Sequence, residues 1–282
     1  MSFYTKTVSY LFVLFCSPGL LIAQGHWGDY IPVKEVKSTY RIFGDKVNLR
    51  EDANTKSKIV TSLKAGDKVQ ILEKANILFE QNQLKENWYK VKTNGGTIGY
   101  LWGGLIADYS FTDSNYEILC KNLGPKLTGL ELRVLSKDKI ISSLKIEDGP
   151  VSNEGWGYKK LKEKDFSPSP QSLFSLKYFV FSEIEYGYNQ QIIISLSKDG
   201  TLTNHFSWLE GSCDPPACME SWLVFPSETL KKDDSIKRVE TKGQKNTIIE
   251  ISRSYDIDDP KSNDYFKKLH IWNGKTFQTK EE

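Results

Sequence analysis

The chain has 282 residues, which exceeds one small domain and suggests about two domains. Its 38 Lys and Arg residues against 36 Asp and Glu residues leave a net charge of +2, so the strong basic bias of a nucleic-acid binder is missing and no nucleic-acid partner is expected. The aromatic residues, 14 Tyr, 14 Phe and 7 Trp, recur in short alternating runs, a pattern that favours strands.

Residues 1–23 are interpreted as a secretory signal peptide that is cut near residues 23–25. They contain one basic residue near the start and a short apolar run, whereas a membrane-spanning helix needs about 20 apolar residues. A lipoprotein anchor on Cys16 is the alternative, although the bulky residue before it is unusual for such a cysteine. We therefore expect a periplasmic, cell-surface or secreted protein without a membrane span after cleavage.

After an N-terminal extension over residues 24–38, residues 39–108 carry the signals of four or five short strands. Val47 and Leu49 alternate with polar residues, which is typical of a half-buried strand. Asn94-Gly95 lies between two apolar runs and predicts a hairpin. A small antiparallel barrel is the expected closure, because it removes exposed strand edges.

This region resembles the bacterial SH3 (SH3b) domain family. The family's patterns "vNvR", "v…l..G..v.v", "W.kV" and "GWv" are matched in order by Asn48-Leu49-Arg50, Ile59, Leu63, Gly66, Val69, Trp88, Val91 and Gly99-Tyr100-Leu101. Tyr100 replaces the usual Trp, and residues 73–87 are expected to form an enlarged loop beside the groove.

The resemblance implies an SH3-like barrel that binds cell-wall peptidoglycan, a peptide or a protein. By analogy with the family, Trp88, Tyr100 and Trp102 are candidate ligand-binding residues, with Arg50 as a further candidate. Aromatic rings suit this role because they offer large, rigid contact area. Arg50 could instead be an ordinary solvated side chain.

Strand parity leaves the direction of two of these rings open. Ile98, Tyr100 and Trp102 lie on one face of their strand, and Leu101 lies on the other. A buried Ile98 would place both aromatic rings in the core. A Leu101 that packs with Val91 would turn them outward.

Residues 109–117 are polar without a clear period and are predicted to be a linker. Residues 118–282 again carry alternating runs, with hairpin signals at Asp199-Gly200 and Asn273-Gly274. They predict a larger antiparallel β domain, either a sandwich or an open barrel. The fold class is therefore all-β, and the second domain resembles no family that we recognise.

Cys213 and Cys218 flank two prolines in "CDPPAC", which favours a disulfide in an oxidising compartment. Free thiols or a metal site are the alternatives, but zinc requires four ligands and the chain has only three His. Cys120 has no evident partner and is expected to be a buried free thiol.

No catalytic residue, metal or cofactor is predicted. The G-x-S-x-G and H-E-x-x-H motifs are absent from the sequence. His205 and His270 are interpreted as strand residues that make ordinary hydrogen bonds rather than as partners of a catalytic Cys213.

Two groups of acidic residues are likewise given a structural rather than a functional interpretation. The run that holds Asp256, Asp258, Asp259 and Asp264 is read as a solvated loop rather than a calcium site, because it lacks the Gly and the distant Glu of an EF-hand. Glu183 and Glu185 are read as exposed strand carboxylates rather than a glycosidase pair.

The sequence thus predicts an exported, non-enzymatic binding protein. One alternative is a cell-wall hydrolase that uses the barrel as a targeting arm. Another is a structural barrel that forms a joint protein-interaction surface with the second domain. The sequence does not fix the oligomeric state.

Overall fold

A computed structural model describes residues 33–124, 129–147, 155–180, 187–259 and 262–282. These residues form antiparallel strands almost throughout, which confirms the all-β prediction. Among them, no helix is both long enough and apolar enough to cross a membrane. The predicted signal peptide and the Glu183 and Glu185 pair lie outside the described residues.

The first sheet has six strands in the order β1-β4-β5-β6-β2-β3. They are β1 (Thr39–Arg41), β2 (Val47–Arg50), β3 (Ile59–Leu63), β4 (Lys68–Gln81), β5 (Leu84–Thr93) and β6 (Ile98–Trp102). A bridge between Ile42 and Ile106 ties the two ends of this region together. Alternate residues of the strands fill one core, as the period of two requires: Val47, Leu49, Val69, Ile71, Tyr89, Val91 and Leu101.

Residues 73–87 do not form the enlarged loop that the sequence predicted. They continue β4 and β5 into a long hairpin. The hairpin turns at Asn82 and Gln83, whose φ angles of 51° and 65° are both positive, as a two-residue turn between twisted strands requires. The turn lacks glycine, and the pairing register shifts between Lys74 and Leu78, so neither the usual turn signal nor a clean alternation is visible in the sequence.

Residues 109–117 are not a linker. They form β7 (Tyr109–Asp113) and the start of β8 (Tyr116–Asn122), which pair as a hairpin in a second sheet. Tyr109 and Phe111 pack on the core while the residues between them are polar. The segment looks polar in the sequence because polar residues alternate with those that pack on the core.

The second sheet is completed by β9 (Leu130–Ser136) and β10 (Lys139–Ile146), in the order β10-β9-β8-β7. The third sheet runs β11-β12-β13-β14, with β11 (Gly157–Lys160), β12 (Ser172–Val180), β13 (Tyr188–Leu196) and β14 (Leu202–Leu209). The fourth runs β15-β16-β19-β20-β21, with β15 (Gly211–Asp214), β16 (Ala217–Val224), β19 (Thr247–Asp256), β20 (Asp264–Trp272) and β21 (Phe277–Glu281). A short ribbon pairs β17 (Thr229–Leu230) with β18 (Thr241–Lys242).

The sheets pack in layers, and the third sheet is covered on both faces. Phe174 and Ile192 pack against the second sheet, whereas Leu173 and Ile193 pack against the fourth. A strand buried on both faces needs apolar residues at successive positions, which explains Leu173-Phe174 of β12 and the run Ile192-Ile193-Ile194 of β13. The second sheet is itself placed between the third sheet and the barrel, because Leu119 faces the barrel.

Candidate functional site

The exposure of residues on the closing strand β6 shows which of its side chains face the barrel core. Leu101 and Val91 are fully buried in the barrel core, whereas Ile98 is 48% exposed. Tyr100 and Trp102 therefore lie on the outer face of the barrel sheet.

This outer face is not an open aromatic platform. Trp88 and Trp102 are cross-strand partners, yet their exposed fractions are only 4% and 5%. The long β4–β5 hairpin brings Phe79 over them, with its ring centre 5.3 Å from that of Trp102 and 6.1 Å from that of Trp88. The indole N–H of Trp102 donates to the Phe79 carbonyl at 3.1 Å, and Tyr100 is half-buried at the edge of this cluster. The two tryptophans thus form a small second core that leaves only their edges accessible.

The glycine pair after Trp102 has a steric cause. A Cβ atom on Gly104 would lie 2.4 Å from the Trp102 ring, well inside any real contact. On Gly103 it would lie 2.5 Å from Glu86 Oε2 and 2.9 Å from the Tyr89 ring. Both glycines, which begin the short 3-10 helix Gly103–Leu105, are therefore required by these close contacts.

Three of the four candidate ligand-binding residues line one pocket of about 230 Å³ on the barrel. They are Arg50, Trp88 and Trp102; Tyr100 packs against the same aromatic cluster without lining the pocket. Arg50 is held in place because its Nη1 donates to the Ser57 carbonyl at 2.7 Å. The other lining residues are Asp45, Lys46, Val47, Asn48, Thr55, Phe79, Gln81 and Leu105.

Residues 45–107 match the family model of the bacterial SH3 domain. The match lies within the predicted range of residues 39–108, which confirms the resemblance. Bacterial SH3 domains are a family of cell-wall-binding and peptide-binding domains. No match is found for the chain among curated proteins or among solved structures.

A buried group of four charges joins the SH3 domain to the second sheet; we call it the junction cluster. It consists of Lys34, Glu86, Asp108 and Lys121, each at most 1% exposed in its side chain. Lys121 Nζ lies 2.6 Å from Glu86 Oε1 and 3.3 Å from Asp108 Oδ2. Lys34 Nζ donates to Asp108 and lies 3.7 Å from Glu86 Oε1. Two cations and two anions therefore balance each other in a buried site.

The junction cluster shifts the titration of its members. Burial alone would raise the pKa of Asp108, but the ammonium groups of Lys121 and Lys34 bring it below its ordinary value. Burial alone would lower the pKa of Lys34, but Asp108 and Glu86 raise it above its ordinary value. This cluster was not predicted from the sequence, because its members are far apart in the chain and charged residues are ordinarily found on the surface.

Two further contacts surround the junction cluster. Arg41 on the SH3 domain pairs with Glu117 on β8 at 2.5 Å. Arg133 on β9 stacks over the Phe43 ring at 4.1 Å and donates to its carbonyl at 3.0 Å. The SH3 domain is consequently docked on the second sheet through apolar, charged and cation–π contacts.

The disulfide prediction is confirmed: Cys213 and Cys218 are bonded across the β15–β16 hairpin. Cys120 is a buried free thiol, as expected, and burial raises its pKa well above the ordinary value. Neither arrangement provides a reactive thiolate, which needs a lowered pKa and solvent access.

The histidines make hydrogen bonds of the ordinary kind that the sequence predicted. His205 Nε2 lies 2.8 Å from Ser195 Oγ, and burial lowers the pKa of His205 to about 4. His270 Nδ1 lies 2.9 Å from Thr279 Oγ1, and its Nε2 lies 3.1 Å from Glu250 Oε2.

In the acidic run the Asp258 N–H donates to Asp256 Oδ1 at 2.8 Å, which is a local turn contact. Within the five described stretches of chain, no group of three or more His, Cys, Asp or Glu side chains is arranged to hold a metal ion.

Proposed function

We propose that the protein is an exported, non-enzymatic binding protein whose SH3 domain holds a cell-wall glycan or peptide. The observation that carries this proposal is the convergence of Arg50, Trp88 and Trp102 on one pocket inside a segment that matches a family of binding domains. Tyr100 flanks the aromatic cluster beside that pocket.

The buried state of the tryptophans supports a rigid pocket. Their rings are fixed by Phe79 and by the Trp102 hydrogen bond, so little conformational entropy is lost when a ligand contacts their edges. Arg50 is similarly fixed by Ser57. At about 230 Å³ the pocket is smaller than the roughly 300–1,000 Å³ of drug-sized sites. It therefore suits one sugar ring or one peptide side chain of a longer ligand that continues over the surface.

Two observations support the non-enzymatic part of the proposal. Cys213 is consumed by the disulfide, and Cys120 is buried with a raised pKa, so neither supports the cysteine-hydrolase alternative. The disulfide is also compatible with an extracellular location, where such bonds persist.

Blocking the pocket tests the proposal. Thr55 lines the pocket from an exposed loop, so Thr55→Tyr fills it without touching the barrel core. We expect the purified parent chain to sediment with cell-wall sacculi and the variant to lose most of this binding. The matched control is Thr112→Tyr, an exposed position on β7 that does not line the pocket.

Equal sedimentation of the parent and both variants would show that the pocket does not contribute to wall binding. Failure of the parent to sediment, combined with failure to bind soluble wall peptides, would reject wall binding altogether. Circular dichroism of each variant verifies that the barrel remains folded.

The docking of the SH3 domain on the second sheet favours a second candidate function, in which the two form a joint interaction surface for a protein partner. The junction cluster fixes the two units together, which a freely swinging targeting arm does not require. In that case the chain would retain a protein partner after Thr55→Tyr but lose it after substitutions that open the junction.

A further inference from the structure

A second cavity, of about 670 Å³, lies where β14 crosses the face of the fourth sheet; we call it the C-terminal cavity. Its volume falls within the range of small-ligand sites. It is formed entirely outside the segment that matches the SH3 family. Its polar lining includes Glu250, Ser252, His270 and Thr279, and its aromatic lining includes Phe206 and Phe266.

One continuous hydrogen-bonded chain crosses this region. It starts at the indole N–H of Trp208, which donates to Ser221 Oγ at 2.8 Å, and Ser221 Oγ lies 3.0 Å from Ser252 Oγ. Ser252 Oγ donates to Glu250 Oε1 at 3.3 Å. Glu250 then contacts His270, and His270 contacts Thr279. Five strands thus contribute to a polar array that is ordered before any ligand arrives.

Aromatic rings frame the polar array. The Phe206 and His270 rings are stacked with centres 3.7 Å apart, which fixes the plane of the imidazole. Phe266 lies on β20 and is 56% exposed, so much of its ring is open to solvent beside the polar array. A ligand that covers Phe266 would remove this apolar surface from water.

The charged groups of the cavity are paired. Lys267 Nζ lies 2.6 Å from Glu282 Oε2, and Lys268 Nζ lies 3.8 Å from Glu281 Oε1. Glu250 is the partner of His270. A charged ligand would have to compete with these pairs, whereas a neutral ligand with many hydroxyl groups would not.

From this geometry we infer that the C-terminal cavity binds an uncharged oligosaccharide. The apolar face of a sugar ring stacks on Phe266, and its hydroxyl groups join the hydrogen-bonded chain at its exposed end, Thr279. The inference concerns a site separate from the SH3 pocket, so the chain would hold two ligand segments at once. Tethering two sites raises the apparent affinity for a long polymer without new contacts.

The test is a calorimetric titration of the full chain with neutral tetrasaccharides of N-acetylglucosamine, of β-linked glucose and of α-linked glucose. We expect saturable binding of at least one of them, and no binding of the negatively charged tetrasaccharide tetragalacturonate. Phe266→Ala should weaken binding about fivefold to tenfold, which corresponds to the loss of roughly 1 kcal/mol of ring contact. Thr279→Val, which keeps the shape but removes the hydroxyl, should weaken it about threefold or more.

The matched control is Ile271→Ala, because Ile271 lies on the same strand, is exposed and does not line the cavity. Binding of none of the three neutral sugars, preference for the charged one, or equal loss in Phe266→Ala and Ile271→Ala would overturn the inference. Repeating the titration with Thr55→Tyr separates the two sites. Unchanged sugar binding in that variant supports the C-terminal cavity even if the SH3 pocket fails its own test, and lost binding assigns the sugar to the SH3 pocket.

Discussion

The junction cluster and the C-terminal cavity both place polar side chains between sheets, but they do so in different ways. The junction cluster holds four formal charges with almost no exposure. The C-terminal cavity holds a chain of hydroxyl, carboxylate and imidazole groups that ends at the exposed Thr279. The first arrangement is closed to ligands, and the second is open to them.

The difference shows how burial decides what a polar group can do. Charges removed from water must be satisfied by each other, and the loss of one leaves an uncompensated charge inside the protein. Groups at the wall of an open cavity can exchange water for a ligand at little cost. The junction is therefore expected to govern stability, and the C-terminal cavity to govern recognition.

The largest expected effect comes from removing one cation of the junction cluster. Lys121→Met leaves Glu86 and Asp108 to share Lys34 alone, so we expect the free energy of unfolding to fall by about 3–5 kcal/mol. Denaturant titration measures this loss. The control is Lys267→Met, which breaks the more exposed pair with Glu282 and should cost far less, because water screens an exposed pair. Similar losses in both variants would contradict the distinction between the two regions.

A smaller effect is expected when the junction is crowded without changing its charge. Gly103→Ala places a methyl group 2.5 Å from Glu86 Oε2 and 2.9 Å from the Tyr89 ring, so we expect a loss of about 1–3 kcal/mol. Gly95→Ala is the matched control, since its nearest atom is 3.8 Å away. Thermal unfolding of the two variants provides the comparison. An unchanged unfolding temperature for Gly103→Ala would show that Glu86 and Tyr89 move aside at little cost in free energy.

The smallest of these effects is a pH dependence that arises outside both regions, at His205, whose Nε2 lies 2.8 Å from Ser195 Oγ. Burial lowers the pKa of His205 from 6.5 to about 4. Between pH 6.5 and pH 4, His205 is therefore protonated in the unfolded chain but neutral in the folded chain. The stability that His205 contributes is thus present above about pH 6.5 and lost as the pH falls to about 4. Asp108 and Lys34 titrate below and above this window.

The measurement is the free energy of unfolding at pH 7 and pH 4.5. Between pH 7 and pH 4.5, the free energy of unfolding of the parent should fall by about 1–2 kcal/mol more than that of His205→Gln. This figure is reduced because His205 is partly exposed to solvent. An identical decrease in both proteins would show that His205 does not carry the acid sensitivity.

The sequence predicted the SH3 domain well because its signals are local. The alternation around Val47 and Leu49 and the Asn94-Gly95 turn are fixed by strand geometry. The pairing of Cys213 with Cys218 is likewise a short-range feature. In each case the residues that decide the structure are neighbours in the chain.

The failures concern features that depend on distant partners. The burial of Trp88 and Trp102 required Phe79, which reaches them only through the unexpected β4–β5 hairpin. The predicted linker became β7 because the third sheet offered a surface to Tyr109 and Phe111. The C-terminal cavity depends on the crossing of two sheets, which alternation within one strand does not encode.

The junction cluster also limits how the SH3 domain can be used as a cassette. The segment that matches the family, residues 45–107, contains Glu86 but none of Lys34, Asp108 and Lys121. It also omits β1, which pairs with β4. If this segment alone were placed in a fusion protein, Glu86 would lack the lysines that neutralise it. The edge of β4 would also lack the strand β1 that pairs with it. In this protein the unit that can be inherited or grafted whole is the barrel together with the strands against which it is docked.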